Sequence, residues 1–176
     1  MRKRCFLLTL LLMAALLTGC MRAGGGASGD AQGEKPQLPE DLRTDADGVP
    51  ILKVYDVENE AVSQMDIETY VMGVLAGEMK NDWPEEALKA QAILARTFVL
   101  KFIETKDSKY EGADISTDVE EAQAYDAAAV DDRIRRAVAE TRGQVLVSDG
   151  TLIYAWFHAH SGGTTAGAKE GLNWKA

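Results

Sequence analysis

The apolar positions of this chain follow two rhythms. In "ILKVYDVENEAVSQM" (51–65), β-branched and aromatic residues flank a polar "ENE", which predicts two short strands joined by a turn, an edge hairpin. From Asp66 the period lengthens: Ile67, Val71 and Val74 are spaced four and three apart and share one helical face. Asp66 suits the N-cap, and Met65 and Tyr70 are placed to pack across it, so a helix is expected over 67–79. The break "NDWP" (81–84) ends it. Pro84 suits the first turn of a second helix, and Glu85 and Glu86 suit its positive end. That helix is expected to reach about residue 103. Its stripe Leu88, Ala92, Ala95, Val99, Phe102 lies beside a second stripe, Lys89, Ile93, Arg96, Leu100, Ile103. Apolar residues on adjacent stripes predict a helix largely enclosed by the rest of the domain.

The stretch 104–129 is polar, has no rhythm and is expected to be irregular. A short helix follows over 131–140, stopped at Gly143. In "QVLVSDGTLIYAWFHAH" alternation resumes on both sides of Asp149-Gly150, the strongest hairpin signal in the chain. The predicted order is edge hairpin, two consecutive helices, irregular segment, short helix and C-terminal β-hairpin. This is an α+β arrangement rather than a regular βαβ alternation.

The ends change the picture. Residues 1–19 open with Arg2, Lys3 and Arg4, continue with an apolar run and close on small residues before Cys20. This is the grammar of a signal peptide. "LTGC" resembles the lipobox of bacterial lipoproteins, which implies cleavage, lipidation of Cys20 and an extracytoplasmic domain anchored to the membrane. The apolar run is about half the ~20 residues a spanning helix needs. Residues 20–48, rich in Gly, Ala, Asp and Pro, read as a flexible tether, leaving 49–176 as one domain. With Cys5 removed and Cys20 lipidated, that domain holds no thiol and no disulfide. Thiolate metal sites and thiol nucleophiles are thereby excluded. Loss of three basic residues with the signal takes the net charge from −9 to −12. Such a surface repels phosphate backbones, so nucleic acid is not an expected partner.

One residue breaks the helical pattern. Glu78 extends the line of Ile67, Val71 and Val74 by a further four positions. A carboxyl kept partly from water holds its proton more readily, the state a general acid needs. The plainer alternative is a helix-end glutamate whose face has run out into solvent.

"IETYVMGVLAGEM…WPEEALKAQAILARTF" resembles the signature of the stage II sporulation protein D family, which includes amidase enhancers. "AWFHAHSGGTTAGAKEGLNW" is similar to its second signature. The resemblance implies a lytic transglycosylase acting on peptidoglycan glycan strands without stem peptides, with a cell-wall amidase as partner; no cofactor is expected. It implies Glu78 as catalytic acid and base, and Arg96 and Lys89 as cations linked to activity. Gln91, His158, Ser161, Gly162 and Gly163 match its motifs as substrate-binding positions.

The residues leave alternatives open at each of these. Arg96 could grip the lactyl carboxylate of a bare muramic acid, or pair internally with a protein acid, Glu78 included. Lys89 could simply extend its ammonium to solvent. Gln91 suits a satisfied core amide, and Trp83 a sugar platform or a staple across the helix break. His158 and His160 would share a face in a continuing strand. The loop 161–163 could line the cleft or be a tight turn, and a Ser161–His158 nucleophile pair is a weaker reading. Some relatives of this kind look able to bind zinc, but "DISTDVEEAQAY" (114–125) holds neither Cys nor His, so no metal is expected. The family domain continues well past the tryptophan matched by Trp174, so the chain is expected to be an incomplete family domain. The rival reading is a non-catalytic module that stimulates a cell-wall amidase.

Overall fold

A computed structural model describes residues 36–40, 42–158 and 162–165. The signal segment, Cys20, the first part of the tether, His160, Ser161 and Trp174 lie outside them. The elements run β1 (Ile51–Asp56), β2 (Ala61–Asp66), α1 (Ile67–Glu78), α2 (Glu85–Thr105), β3 (Ile115–Ser116), α3 (Asp132–Glu140), β4 (Val147–Ser148) and β5 (Thr151–Leu152). The mixed α+β order is the one the pattern predicts.

Strands β1 and β2 pair antiparallel over their full length, from Ile51 opposite Asp66 to Asp56 opposite Ala61. Alternation decides which face is covered. Leu52 and Val54 are fully buried while Lys53 between them is exposed. The hairpin is not wholly at an edge, because β3 adds parallel to β1 through Val54–Ile115 and Tyr55–Ser116, giving the order β2-β1-β3. The third strand comes from the stretch expected to be irregular. Two residues are too few to show a period, so its sequence carried no strand signal.

Helix α1 starts where Asp66 predicts. Its carboxylate accepts from the Thr69 N–H at 3.0 Å and from the Thr69 hydroxyl at 2.6 Å. The helix ends at Glu78, one residue earlier than expected, and Met79 leaves in extended conformation. Pro84 precedes α2, which runs two residues beyond the expected end. Asp131 caps α3 by accepting from the N–H groups of Arg133 and Ile134. The core forms where α1 packs on α2 and α3 over the sheet, with Val71, Val74, Leu88, Ala92, Ile134 and Ile115 among its fully buried members. Each such Val, Leu or Ile contributes about 1.5–3 kcal/mol by leaving water. No helix among the described residues is long and apolar enough to cross a membrane.

The last hairpin turns at Asp149 (φ 49°) and Gly150 (φ 74°), both left-handed as a two-residue hairpin turn demands. Its ladder is only two residues long. The Leu146 N–H, which a longer ladder would need, instead bonds the Thr97 hydroxyl of α2 at 2.9 Å. Residues 153–158 therefore run outside a strand; the strand face expected to carry both His158 and His160 falls partly outside the described residues.

Candidate functional site

Ile67, Val71 and Val74 are at most 1% exposed, and Glu78 closes their face at the last residue of α1, half-buried. The carboxyl does not end in open solvent. Its Oε1 accepts from the Ala124 N–H at 2.9 Å, and its Oε2 makes no hydrogen bond among the described residues. One oxygen is therefore held and one is left for other work.

The amide that holds Glu78 is itself fixed by a strap, residues 123–126, laid along α1. Two glycines let it approach. A Cβ on Gly77 would come within 2.6 Å of the Ala124 carbonyl carbon and the Tyr125 nitrogen, and a Cβ on Gly73 would run into the Tyr125 ring. The Asp126 N–H donates to the Gly73 carbonyl at 2.9 Å. Tyr125 stacks on Tyr70 with ring centroids 5.4 Å apart, and the Tyr70 hydroxyl donates to the Ser116 carbonyl at 2.7 Å. Burial pushes both phenols up, most strongly at Tyr70. Behind the strap, residues 108–121 are pinned in turn. Glu121 accepts from the Ser108 hydroxyl and the Lys109 N–H, while Asp118 accepts from the Tyr110 hydroxyl and pairs with Lys109 at 2.6 Å. Apart from β3 the segment lacks regular structure, yet it is densely bonded.

On its other side the strap borders a polar cleft of about 900 Å³, including space open to solvent. Asp56, Glu58, Asn59, Thr117, Tyr125 and Asp126 line it, and Glu78 does not.

The two expected cations are engaged elsewhere. Arg96 is 1% exposed and grips Glu68 with both edges of its fork, Nε to Oε1 at 3.1 Å and Nη2 to Oε2 at 2.6 Å. Its Nη1 donates to the carbonyls of Ala92 and Gln144. Of the two readings of Arg96, the structure shows the internal pair with a protein acid. The acid is Glu68 rather than Glu78, because Glu68 in the first turn of α1 lies against α2 and also takes the Gly143 N–H at 3.1 Å. Lys89 is ringed by Glu140 at 2.6 Å, Glu86 at 3.0 Å and Glu85 at 3.6 Å. Its hydrogen bonds to the carboxylates of Glu140 and then Glu86 hold the ammonium well above the usual lysine range.

Gln91 is 6% exposed with its Nε2 unpartnered, so it is not the satisfied core amide that was one of its two readings. Trp83 packs partly buried against the core at the helix break. His158 is exposed, Gly162 and Gly163 have φ of 65° and 108°, and Ser161 lies outside the described residues. No hydrogen bond or ion pair among the described residues joins Glu78 to Arg96, Lys89 or His158. Among them, too, no three His, Cys, Asp or Glu side chains gather as a metal site would require.

Sequence reasoning missed Glu68 and the two strap glycines. The signal for Glu68 was available: an arginine on an apolar stripe requires a buried acid on the neighbouring helix. For Gly73 and Gly77 the four-residue spacing on one helical face was the clue.

Residues 55–147, just over half the chain, match the sequence model of the family described as SpoIID, stage II sporulation protein. The chain belongs to that family. It is similar to stage II sporulation protein D of Bacillus amyloliquefaciens, 31% identical over 154 residues, covering 80% of this chain and 42% of the relative. A Brachyspira hyodysenteriae protein described as uncharacterized is 37% identical over 113 residues, 62% of this chain and 29% of that one. The amidase enhancer of Bacillus subtilis is 35% identical over 98 residues, 56% of this chain and 13% of that protein. The chain thus spans less than half the length of these relatives.

Proposed function

We propose that this chain is a peptidoglycan lytic transglycosylase acting on glycan strands stripped of stem peptides, with Glu78 as general acid and base. The supporting observation is the half-held carboxyl, one oxygen fixed by the Ala124 N–H and the other unengaged, at the end of an apolar helical face. Membership of the family supports the substrate class. Ordinary glycoside hydrolysis needs two carboxylates, one to protonate the leaving oxygen and one to attack or to activate water. A single carboxyl suffices when the muramic acid supplies its own nucleophile. Glu78 gives its proton to the glycosidic oxygen as the bond to the anomeric carbon breaks. The C6 hydroxyl of the same sugar closes on that carbon, and its proton returns to Glu78. Because attack is intramolecular, much of the entropic cost is already met.

The reading includes an extracytoplasmic location with a lipid on Cys20, and an amidase that first removes the stem peptides. The test is incubation of the protein with denuded glycan strands and chromatography for 1,6-anhydromuramyl ends. They are expected with the wild type and are expected to fall by about 10²–10⁴-fold in Glu78→Gln. No such ends from the wild type would refute the enzyme.

A second reading, a non-catalytic module that stimulates a cell-wall amidase, has its own support. Arg96 and Lys89 are both taken up by protein acids, and one relative carries the name amidase enhancer. Faster amidase turnover with no anhydro product from the wild type would favour it.

A further inference from the structure

The strap that holds Glu78 also walls the polar cleft. Ala124 gives its N–H to Glu78, while Tyr125 and Asp126 line the cleft. The turn joining β1 to β2 contributes Asp56, Glu58 and Asn59, and Thr117 completes the polar lining. Its volume of about 900 Å³, part of it open to solvent, lies within the range of about 300–1,000 Å³ usual for small-molecule sites.

Only part of this lining is used by the fold. Asp56 takes the Glu58 and Asn59 N–H groups on one oxygen and the Asn59 amide on the other. Asp126 accepts from the Ala128 and Ala129 N–H groups on Oδ1, which leaves Oδ2 unbonded among the described residues. Thr117 accepts the Val57 N–H at 3.1 Å and keeps its own proton to donate. The Glu58 side chain is exposed. What remains is a set of acceptors and a hydroxyl donor beside a tyrosine ring. A pyranose suits such a set: its hydroxyls donate to the oxygens, its N-acetyl carbonyl accepts, and its C–H face can lie on the ring.

Charge selects the pyranose. No lysine or arginine is among the residues lining the cleft, and its acids do not gather as a metal site requires. A strand without stem peptides carries a lactyl carboxylate on every muramic acid and none on N-acetylglucosamine. Like charges repel at short range, and a site can reject a near relative of its ligand by that means. We propose that this cleft is a subsite for the uncharged N-acetylglucosamine units of the strand, with Glu58 and Asp126 keeping muramic acid out. The inference rests on the glycan substrate proposed above, but its test needs no turnover.

The full chain carrying Glu78→Gln is titrated with N-acetylglucosamine tetramer. The ¹H–¹⁵N amides of Asn59, Thr117 and Asp126 are expected to shift saturably while that of Gly143 stays in place. The monosaccharides N-acetylglucosamine and N-acetylmuramic acid, which differ only by the lactyl group, are then compared. Muramic acid is expected to bind about fivefold more weakly or worse, and adding Glu58→Gln and Asp126→Asn should bring the two within about twofold. Cleft amides unmoved by the tetramer overturn the subsite, as does calcium moving them where the sugars do not. An equal affinity for the two monosaccharides, or a preference that survives both neutralising changes, overturns the exclusion by charge. Tetramer binding in the cleft by a wild type that makes no anhydromuramyl ends refutes the lytic reading and leaves the subsite standing.

Discussion

Helix α1 carries one acid at each end, and the two are held in opposite ways. Glu68, in the first turn, is 4% exposed, gripped by a two-pronged arginine and tied to a backbone N–H. Glu78, the last residue, is half-buried and takes one N–H on one oxygen. The first has both oxygens bonded and joins α1, α2 and the connection after α3. The second keeps an oxygen in reserve. The two differ in bonding as well as in burial: the more buried acid has both oxygens taken, and the half-buried one has a single bonded oxygen.

Breaking the first site separates the two roles most sharply. Arg96→Met leaves the Glu68 carboxylate buried without its cation, and loss of about 3–5 kcal/mol of stability is expected in urea unfolding. Combining it with Glu68→Leu is expected to recover most of that loss, because apolar replacement of a whole buried pair is often close to neutral. Glu78→Gln should behave in the reverse manner. Its side-chain oxygen can still accept from Ala124, so stability should change by less than about 1 kcal/mol while product formation collapses. Equal stability losses in the two variants would dissolve the contrast.

The sequence revealed these sites unevenly. Glu78 was legible because helical spacing placed it in line with Ile67, Val71 and Val74, and a carboxyl on such a line is conspicuous. The cap at Asp66, the restart at Pro84 and the turn at Asp149-Gly150 were legible for the same reason: each is a local signal with a local cause. Glu68 was not, because burial of a polar side chain is decided by what packs against it, and its partners Arg96 and Gly143 lie 28 and 75 residues away in the chain. Strand β3 and the short ladder after Val147 escaped for a related reason. Two-residue strands have no period, and the Leu146 amide is taken by a hydroxyl from another element.

The strap offers a finer cut, because it should disturb the second site and spare the first. Gly73→Ala puts a methyl group into the Tyr125 ring. The ring must move, at the expense of its stack on Tyr70, and a loss of about 1–3 kcal/mol is expected, as for other overpacked sites. Displacement of the strap carries the Ala124 N–H away from Glu78, which should appear as a shift of the Ala124 amide in ¹H–¹⁵N spectra. The resonances of Gly143, bonded to Glu68, are expected to stay in place. Movement of both together would mean that the two ends of α1 are not independent.

Acid offers the gentlest test, through the residues behind the strap. Asp118 is held down to about 2 by the hydrogen bond from Lys109, then by the Glu120 N–H and the Tyr110 hydroxyl. An unfolded aspartate titrates near 3.9. Between these values the open form binds the proton more readily than the closed one. The contribution of Asp118 is therefore fully present above about pH 4 and is lost as pH falls towards about 2. Amide exchange in residues 108–121 should accelerate over that window, after correction for its intrinsic pH dependence, with the Ala124 amide following. Asp118→Asn has no such carboxyl to protonate, so its corrected exchange should be flatter across the window and already faster at pH 5. Because the pair is close to the surface, added salt should shrink the difference between variant and wild type. The Gly143 amide at the other end of α1 should show no difference between the two proteins. If it does, the strap and the buried arginine pair loosen as one unit, and the reserve oxygen of Glu78 depends on the whole fold rather than on the segment that holds it.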